Sequence, residues 1–299
     1  TNKILDEGTT PSVLTAIMKQ QTTERARIVL NHGMDIYAGS GICSGPNNFI
    51  QKFYNSAPIG ITVEGSNTLT RSLIIFGQGL NKSHPHIYNI FNSINDNNIK
   101  DFQKEFNKMI GHTLKNYSYS ILPYPLYTSN EHRLERLTRR FANLTNFIAL
   151  LGGQIKSKQV LSGYMADCLS TIYLSYSLLW FFQDKEIDYL ILNFLLKKLC
   201  IEGETSINKV IQNYPIPGIK QLLIPTMYLN IPELSWKEEQ EVYNYIIENG
   251  EIRKLLSKDL FIDGTILEKL EKLNHLDKNS KEYQELYNQV IQVGEYLNK

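Results

Sequence analysis

Ile61-Thr62-Val63-Glu64-Gly65-Ser66-Asn67-Thr68-Leu69-Thr70-Arg71 sets a lone carboxylate in an uncharged, β-branched run just before a helical pattern. From Asn67 onward, Leu69, Leu73, Phe76 and Leu80 recur at the spacing of one helix face. Ser66 is placed to cap that helix, its hydroxyl accepting from a free N–H of the first turn. Glu64 therefore sits on the loop entering the helix, with Gly65 allowing a backbone conformation that other residues resist. Two effects oppose each other at Glu64. The helix dipole favours the anion by about 0.3–1 kcal/mol, less than one pKa unit. Burial among Ile61, Val63 and a bound apolar ligand would raise the carboxyl by up to roughly 3–5 units. A dry site makes Glu64 a base near neutral pH. A wet one leaves an ordinary loop glutamate, the reading that spacing alone favours.

Helical patterns extend both ways from this stretch. Upstream, Thr10-Pro11 starts a helix that runs to about Tyr37, with Pro at its first position. Val13, Leu14, Ile17, Met18, Ile28, Val29, Met34 and Ile36 form its buried stripe, and Lys19 to Arg27 its solvated part. Ala38-Gly39-Ser40-Gly41 ends it in a turn. Pro46 to Tyr54 reads as a short helix and Ser56-Ala57-Pro58 as a loop. Downstream, the Glu64 helix is expected to end near Gly79, and His84-Pro85 to start another. Asp96-Asn97-Asn98 marks a turn before a helix to about Tyr119, and Leu122-Pro123-Tyr124-Pro125 reads as a rigid extended linker. Leu134, Leu137, Phe141, Leu144, Ile148 and Leu151 trace a core face that Gly152-Gly153 breaks. Leu161, Met165, Leu169, Ile172 and Tyr176 continue on a second helix, predicting an antiparallel pair. A third helix spans about Asp188 to Tyr214 and stops at Pro215-x-Pro217. Ser235-x-x-Glu238 and Thr265-x-x-Glu268 are capping boxes, and Ser280 to Leu297 is amphipathic. No strand-rich segment or repeat interrupts this, so the fold class is all-α.

At 299 residues the chain can bury a large core in one or two domains. Its formal net charge is +1, from 31 Lys and Arg against 30 Asp and Glu, which gives no electrostatic basis for nucleic-acid binding. Cys43, Cys168 and Cys200 form no C-x-x-C pair and suit free thiols in a reducing cytoplasm. His84 and His86 flank Pro85 as helix-entry residues, while His112 and His132 stand alone. No pair has i, i+4 spacing, so no metal site is expected. Tyr173, Tyr176, Trp180, Phe181 and Phe182 read as core or interhelical aromatics. Arg71 reads equally as a surface cation or as a support for a bound group or a dimer.

Val63-Glu64-Gly65 followed by Arg71 resembles the Glu-Gly-Thr-x-x-x-x-Arg signature of acyl-CoA dehydrogenases. Pro58 to Gly65, Thr70 to Gly79 and His84-Pro85 together are similar to the large bacterial enzymes of fatty-acid β-oxidation, which carry an extra C-terminal helical region. Asp35-Ile36-Tyr37-Ala38-Gly39-Ser40-Gly41-Ile42 resembles the Gln-x-x-Gly-Gly-x-Gly motif by which that family approaches the ADP part of FAD, with Asp35 in place of Gln and Ala38 in place of the first Gly. Ala142-Asn143-Leu144 and Leu150-Leu151-Gly152-Gly153 resemble the extra region, and the resemblance spans residues 8 to about 230.

The resemblance implies a C-terminal helical-bundle domain over residues 1–80 and a packed helical extension over residues 81–299. It implies that Glu64 removes the α-proton of a fatty acyl-CoA, giving the trans-2-enoyl-CoA. Asp35, Ala38, Gly39, Gly41, Ser66 and Thr68 would attend FAD, and Gly65 and Arg71 the substrate. An electron-transfer flavoprotein, a homo-oligomer and peripheral contact with an inner membrane follow as expected partners of a cytoplasmic protein. The family keeps much of its flavin and acyl-CoA site in upstream domains, and the sequence opens on Thr1. A fragment that does not itself retain FAD is therefore expected. The alternative is a helical interaction or oligomerisation module without catalysis of its own.

Overall fold

A computed structural model describes residues 1–45, 48–121, 129–185, 187–258, 260, 262, 264 and 266–290, and its regular structure is helical, with no strand among them. The longer helices are α1 (Ser12–Tyr37), α2 (Ile50–Thr62), α3 (Ile87–Asn95), α4 (Ile99–Ile121), α5 (Asn130–Ala149), α6 (Gln159–Lys185), α7 (Tyr189–Gln212), α8 (Trp236–Glu248), α9 (Gly250–Ser257), α10 (Ile266–His275) and α11 (Lys281–Val290). Between α2 and α3 lie an α-turn Asn67–Leu69, a π-helix Thr70–Gln78 and an α-turn Gly79–Ser83. The chain forms two compact units, residues 1–21 with 64–248, and residues 22–63 with 249–299.

Local chemistry accounts for many of the boundaries. Ser129 caps α5 by accepting from the His132 N–H, and Asp188 caps α7 by accepting from Leu190 at 2.7 Å. At α8 the capping box closes both ways: Ser235 Oγ accepts from the Glu238 N–H and Glu238 Oε2 from the Ser235 N–H. Asn97, at φ 53°, stops α3; the Asn98 N–H reaches the Ser93 carbonyl at 2.8 Å and the Asn97 N–H that of Ile94.

The core of the first unit forms around α6, which packs most extensively against α7 and the π-helix. Leu161, Met165, Ala166, Cys168 and Ile172 of α6 are buried, and so are Ser162, Ser170, Thr171 and Ser175 between them. A helix packed against several neighbours needs small residues where they come close, and its buried hydroxyls need partners. Ser170 and Ser175 donate to the carbonyls four residues back. Ser162 instead donates to Ser72 O of the π-helix at 2.7 Å. Of the expected face, Leu134, Leu137, Leu144, Ile148 and Leu151 are buried and Phe141 is half-buried. Between α5 and α7, Arg133 makes a two-pronged pair with Glu204, whose side chain is 2% exposed. Tyr214 ties the end of α7 to α5 by donating to Phe147 O at 2.7 Å.

In the second unit, Tyr37 meets Phe49 edge to face, ring centres 5.2 Å apart. Gly33 leaves the space that the Ile50 side chain occupies.

Several expected details are corrected. Ser56-Ala57-Pro58 is not a loop: α2 runs through it, with Pro58 inside the helix. The helical winding after Glu64 continues past Gly79 to Ser83. Of the 69/73/76/80 stripe Phe76 is buried as expected, but Thr70, Ser72 and Ile75 join it in place of Leu69, Leu73 and Leu80, because π winding rotates successive residues away from α register. On α1, Ile17 is buried, but Ile28, Val29 and Ile36 are exposed, Ile36 by 81%. Gln20, read as solvated, is buried. Pro46, the Leu122–Pro125 linker, Thr265 and residues 291–297 lie outside the described residues.

The Arg133–Glu204 pair generates a stability test. Glu204→Gln leaves a guanidinium largely desolvated without its counter-charge, and is expected to cost about 3–5 kcal/mol in urea unfolding. Arg133→Met with Glu204→Leu should recover most of that loss. An unfolding midpoint for Glu204→Gln equal to wild type would show that the pair is effectively solvated.

Candidate active site

Glu64 stands on a sharp corner between α2 and the next helical turn. Val63 is extended, and Glu64 and Gly65 both have left-handed backbones, at φ 54° and 87°. Glycine adopts such a φ freely, whereas a glutamate there is strained by roughly 1–3 kcal/mol and persists only where its surroundings enforce it. The enforcing contacts converge on the next residues. Lys19 Nζ donates to Gly65 O at 2.8 Å and to Asn67 Oδ1 at 2.7 Å, and Thr70 Oγ1 donates to Gly65 O at 3.3 Å. Ser66 is the N-cap that its position predicts, its Oγ accepting from the Leu69 N–H at 3.3 Å. Asn67 and Thr70 are buried. Glu64 itself is exposed, and Val63 is 50% exposed. Among the described residues nothing buries the Glu64 carboxylate, which stands as the wet alternative of its two sequence readings until a molecule binds there. Thr68 is exposed, with its carbonyl accepting from Ser72 Oγ.

Arg71 is not a free surface cation. Its Nε and Nη2 donate to Asp167 Oδ1 and Oδ2, both at 2.5 Å, and the guanidinium lies against Gly163 and 5.9 Å from the Tyr164 ring centre. The bond to Asp167 holds the Arg71 pKa above its usual value despite burial. A bidentate pair of this kind fixes direction as well as charge. It ties the π-helix to α6.

In the second unit, α1 ends at Tyr37 and Ala38 turns the chain at φ 46°, ψ −129° into a short helix Gly39–Ile42. Asp35, Ala38 and Gly39 are exposed, whereas Gly41 is buried beneath Met34 and Tyr37. Asn48 holds the turn, its Nδ2 donating to the carbonyls of Ser40, Gly41 and Cys43 at 2.7–3.0 Å. Nothing in the spacing from Gly41 to Asn48 signals this role.

Sequence reasoning also missed a cluster of imidazoles in the first unit. His112 is not isolated: its ring centre lies 5.7 Å from both His84 and His86. His84 does enter the next helix as expected, Nδ1 accepting from the N–H groups of His86 and Ile87 at 3.2 and 3.1 Å. Its Nε2 meets Asn146 Oδ1 at 2.7 Å, and Asn146 Nδ2 meets His112 Nδ1 at 3.2 Å. Glu105 faces His86 at 3.4 Å, and also pairs with Lys108. His84 and His112 contribute to the wall of an apolar cavity of about 700 Å³ with Ile17, Phe76, Phe141 and Ile172. Among the described residues no group of three His, Cys, Asp or Glu could hold a metal ion.

Residues 81–296 match the family model described as acyl-CoA dehydrogenase, C-terminal, bacterial type. The match reaches further along the chain than the motifs read from the sequence. No solved structure matches the chain.

Burial lowers the pKa of both His84 and His112, with repulsion from His86 adding to it and Lys115 acting on His112. Both groups stay neutral in the fold and charge more readily when unfolded. Their contribution to stability is thus complete above the unfolded value of about 6.5 and falls as pH drops below it towards the lower folded values. His112→Asn is expected to flatten the fall in melting temperature across that window. A variant that follows the wild-type pH profile there would show that His112 does not drive it.

Proposed function

The chain belongs to the acyl-CoA dehydrogenase family, and from that premise we propose that it carries the proton-abstracting base for conversion of a fatty acyl-CoA to its trans-2-enoyl-CoA. The observation that supports this reading best is the left-handed Glu64. A non-glycine residue is held there by Lys19, Thr70 and the Ser66 cap at the cost of backbone strain, while its carboxylate stays open to a ligand. Such an arrangement fixes where the carboxylate starts without spending its acceptor atoms on the protein.

The chemistry asked of Glu64 is modest in atoms and demanding in environment. One carboxylate oxygen takes the α-proton of the thioester. A solvated carboxylate is too weak a base for this, so the reaction requires that bound substrate exclude water from Glu64. Gly65, with its left-handed backbone, would attend the substrate next to the carboxylate. Arg71, with its fork held by Asp167, would act on the substrate side by fixing the first turn of the π-helix.

The residues of the Ala38–Gly41 turn fit a large anionic cofactor such as FAD. A Cβ built on Gly39 meets nothing within 4 Å, and Ala38 and Ser40 are also exposed, so the backbone is open to close approach. The Asp35 carboxylate suits ribose hydroxyls better than phosphate. On the Glu64 helix, Ser66 and Thr68 are likewise proposed as flavin-attending residues, Thr68 with the freer hydroxyl, since Ser66 Oγ serves the cap. Bound FAD would supply the two-electron acceptor that the overall reaction needs.

An electron-transfer flavoprotein as onward acceptor, a homo-oligomer, and the division of the chain near residue 80 into a catalytic domain and an extension belong to the same proposal. A second reading, a helical interaction module, is favoured by one observation: apolar residues left exposed along α4.

In the full-length enzyme, Glu64→Gln is expected to lower turnover by at least the 10²–10⁴-fold typical of a positioned base, on the order of two to four decades. Flavin content and melting temperature should stay unchanged. Activity within a few-fold of wild type in a folded, flavin-replete variant would exclude Glu64 as the base. The 299-residue chain expressed alone is expected to purify colourless. Flavin absorbance near one equivalent would show instead that these residues suffice to hold the cofactor.

A further inference from the structure

The cavity beside His84 and His112 is walled by the first unit alone: the start of α1, the π-helix, the turn Gly79–Ser83, α4, α5 and α6 all contribute. Its deep side is apolar, where Ile17, Phe76 and Ile172 are buried. The polar side chains along the wall are already engaged with the protein. His84 gives its two ring nitrogens to backbone N–H groups and to Asn146, and His112 Nδ1 meets Asn146 as well. Thr138 and Thr145 donate to the carbonyls four residues back. Among the described residues no Asp or Glu lines the cavity, and Lys82 is the one Lys or Arg that does. Lys82 is exposed, so it stands at the mouth, and its ammonium donates to the Ser12 hydroxyl at 3.1 Å.

We infer that this cavity binds a free monocarboxylate with a long apolar body, its hydrocarbon lying against Ile17, Phe76, Phe141 and Ile172 and its carboxylate meeting Lys82. Two features carry the inference. The first is a large space with a dry wall. A volume of about 700 Å³ lies within the roughly 300–1,000 Å³ of small-molecule sites. A water molecule inside would need about two to four polar partners, and the wall's polar atoms are turned to other groups, so hydrocarbon suits the space better than water. The second feature is the placement of charge. One ammonium at the mouth of an apolar chamber, with no acid beside it, matches a ligand that carries one anion at one end. A coenzyme A thioester suits this mouth poorly, since several phosphates would meet a single cation. None of residues 61–71 is among the described residues that line the cavity, so this is a second site, separate from the Glu64 corner.

The test is isothermal titration of the 299-residue chain with dodecanoate and with dodecanol, each below the concentration at which it self-associates. It needs neither flavin nor thioester, so its outcome does not depend on the role of Glu64. Dodecanoate is expected to bind once per chain. Lys82→Gln should weaken dodecanoate by up to about fivefold, the scale of one exposed ion pair, and leave dodecanol unchanged. Ala142→Phe places a ring in the cavity from α5 and should weaken both ligands alike. Leu169→Trp narrows the same space from α6 and takes its place if Ala142→Phe melts early; melting temperatures of all three variants check the fold. Saturating dodecanoyl-CoA should leave dodecanoate binding as it is. Four results would overturn the inference: no binding of dodecanoate, cavity-narrowing variants that bind as wild type, Lys82→Gln weakening dodecanol as much as dodecanoate, or competition by dodecanoyl-CoA, which would make the cavity part of a thioester site.

Discussion

Arg71 reaches Asp167 because residue 163 has no side chain. A single Cβ on Gly163 would collide with the guanidinium, so the ion pair, the close approach of the π-helix to α6 and the glycine are one constraint. Ser162 adds a second tie next to it by satisfying Ser72 O within the irregular winding. π-helical turns are rare and leave backbone groups displaced from their usual partners. Here α6 supplies one such partner, the Ser162 hydroxyl on Ser72 O. The Glu64 corner is then held from both directions: from α1 through Lys19 on Gly65 O, and from the helix that follows, whose second π residue is Arg71 itself.

Polar groups recur where helices of the first unit meet. Arg133 and Glu204 join α5 to α7, Tyr214 donates to Phe147 O, and Asn146 links two imidazoles. Each satisfies a group that would otherwise be costly to bury, and each requires one relative placement of the elements involved. An apolar bundle tolerates sliding between helices. A pair with two short N–H···O bonds does not.

What the sequence showed depended on how local the determining chemistry was. Caps at Ser66 and Ser235 were legible because acceptor and N–H lie within three residues. The stripe from Leu134 to Leu151 was legible because α periodicity holds along all of α5. Periodicity failed at Thr70–Gln78, where the winding itself changes, and at Ser56–Pro58, where a helix runs on through proline. Around the candidate site, the left-handed Gly65 followed from residue type, but Lys19, Asp167 and Asn48 did not. Lys19 and Asp167 act across 46 and 96 positions of chain. Asn48 is closer, yet an asparagine seven residues beyond a glycine carries no signal of its own. The imidazole cluster escaped for the same reason, since His84 and His112 meet only once α3 folds back on α4.

Ala38 has a further implication for how this sequence distributes its strain. Its φ of 46° with ψ of −129° is a combination that glycine dominates, yet the side chain there is a methyl group. Glu64, at the other candidate segment, also has a positive φ, 54°. Strain at a glutamate can be explained by what its carboxylate does, but a methyl group performs no comparable chemistry. The two positions are therefore not equivalent as targets for engineering. Ala38 is where a more thermostable version of the chain could be sought through backbone freedom, whereas relaxing residue 64 would remove the very group that gives the corner its interest.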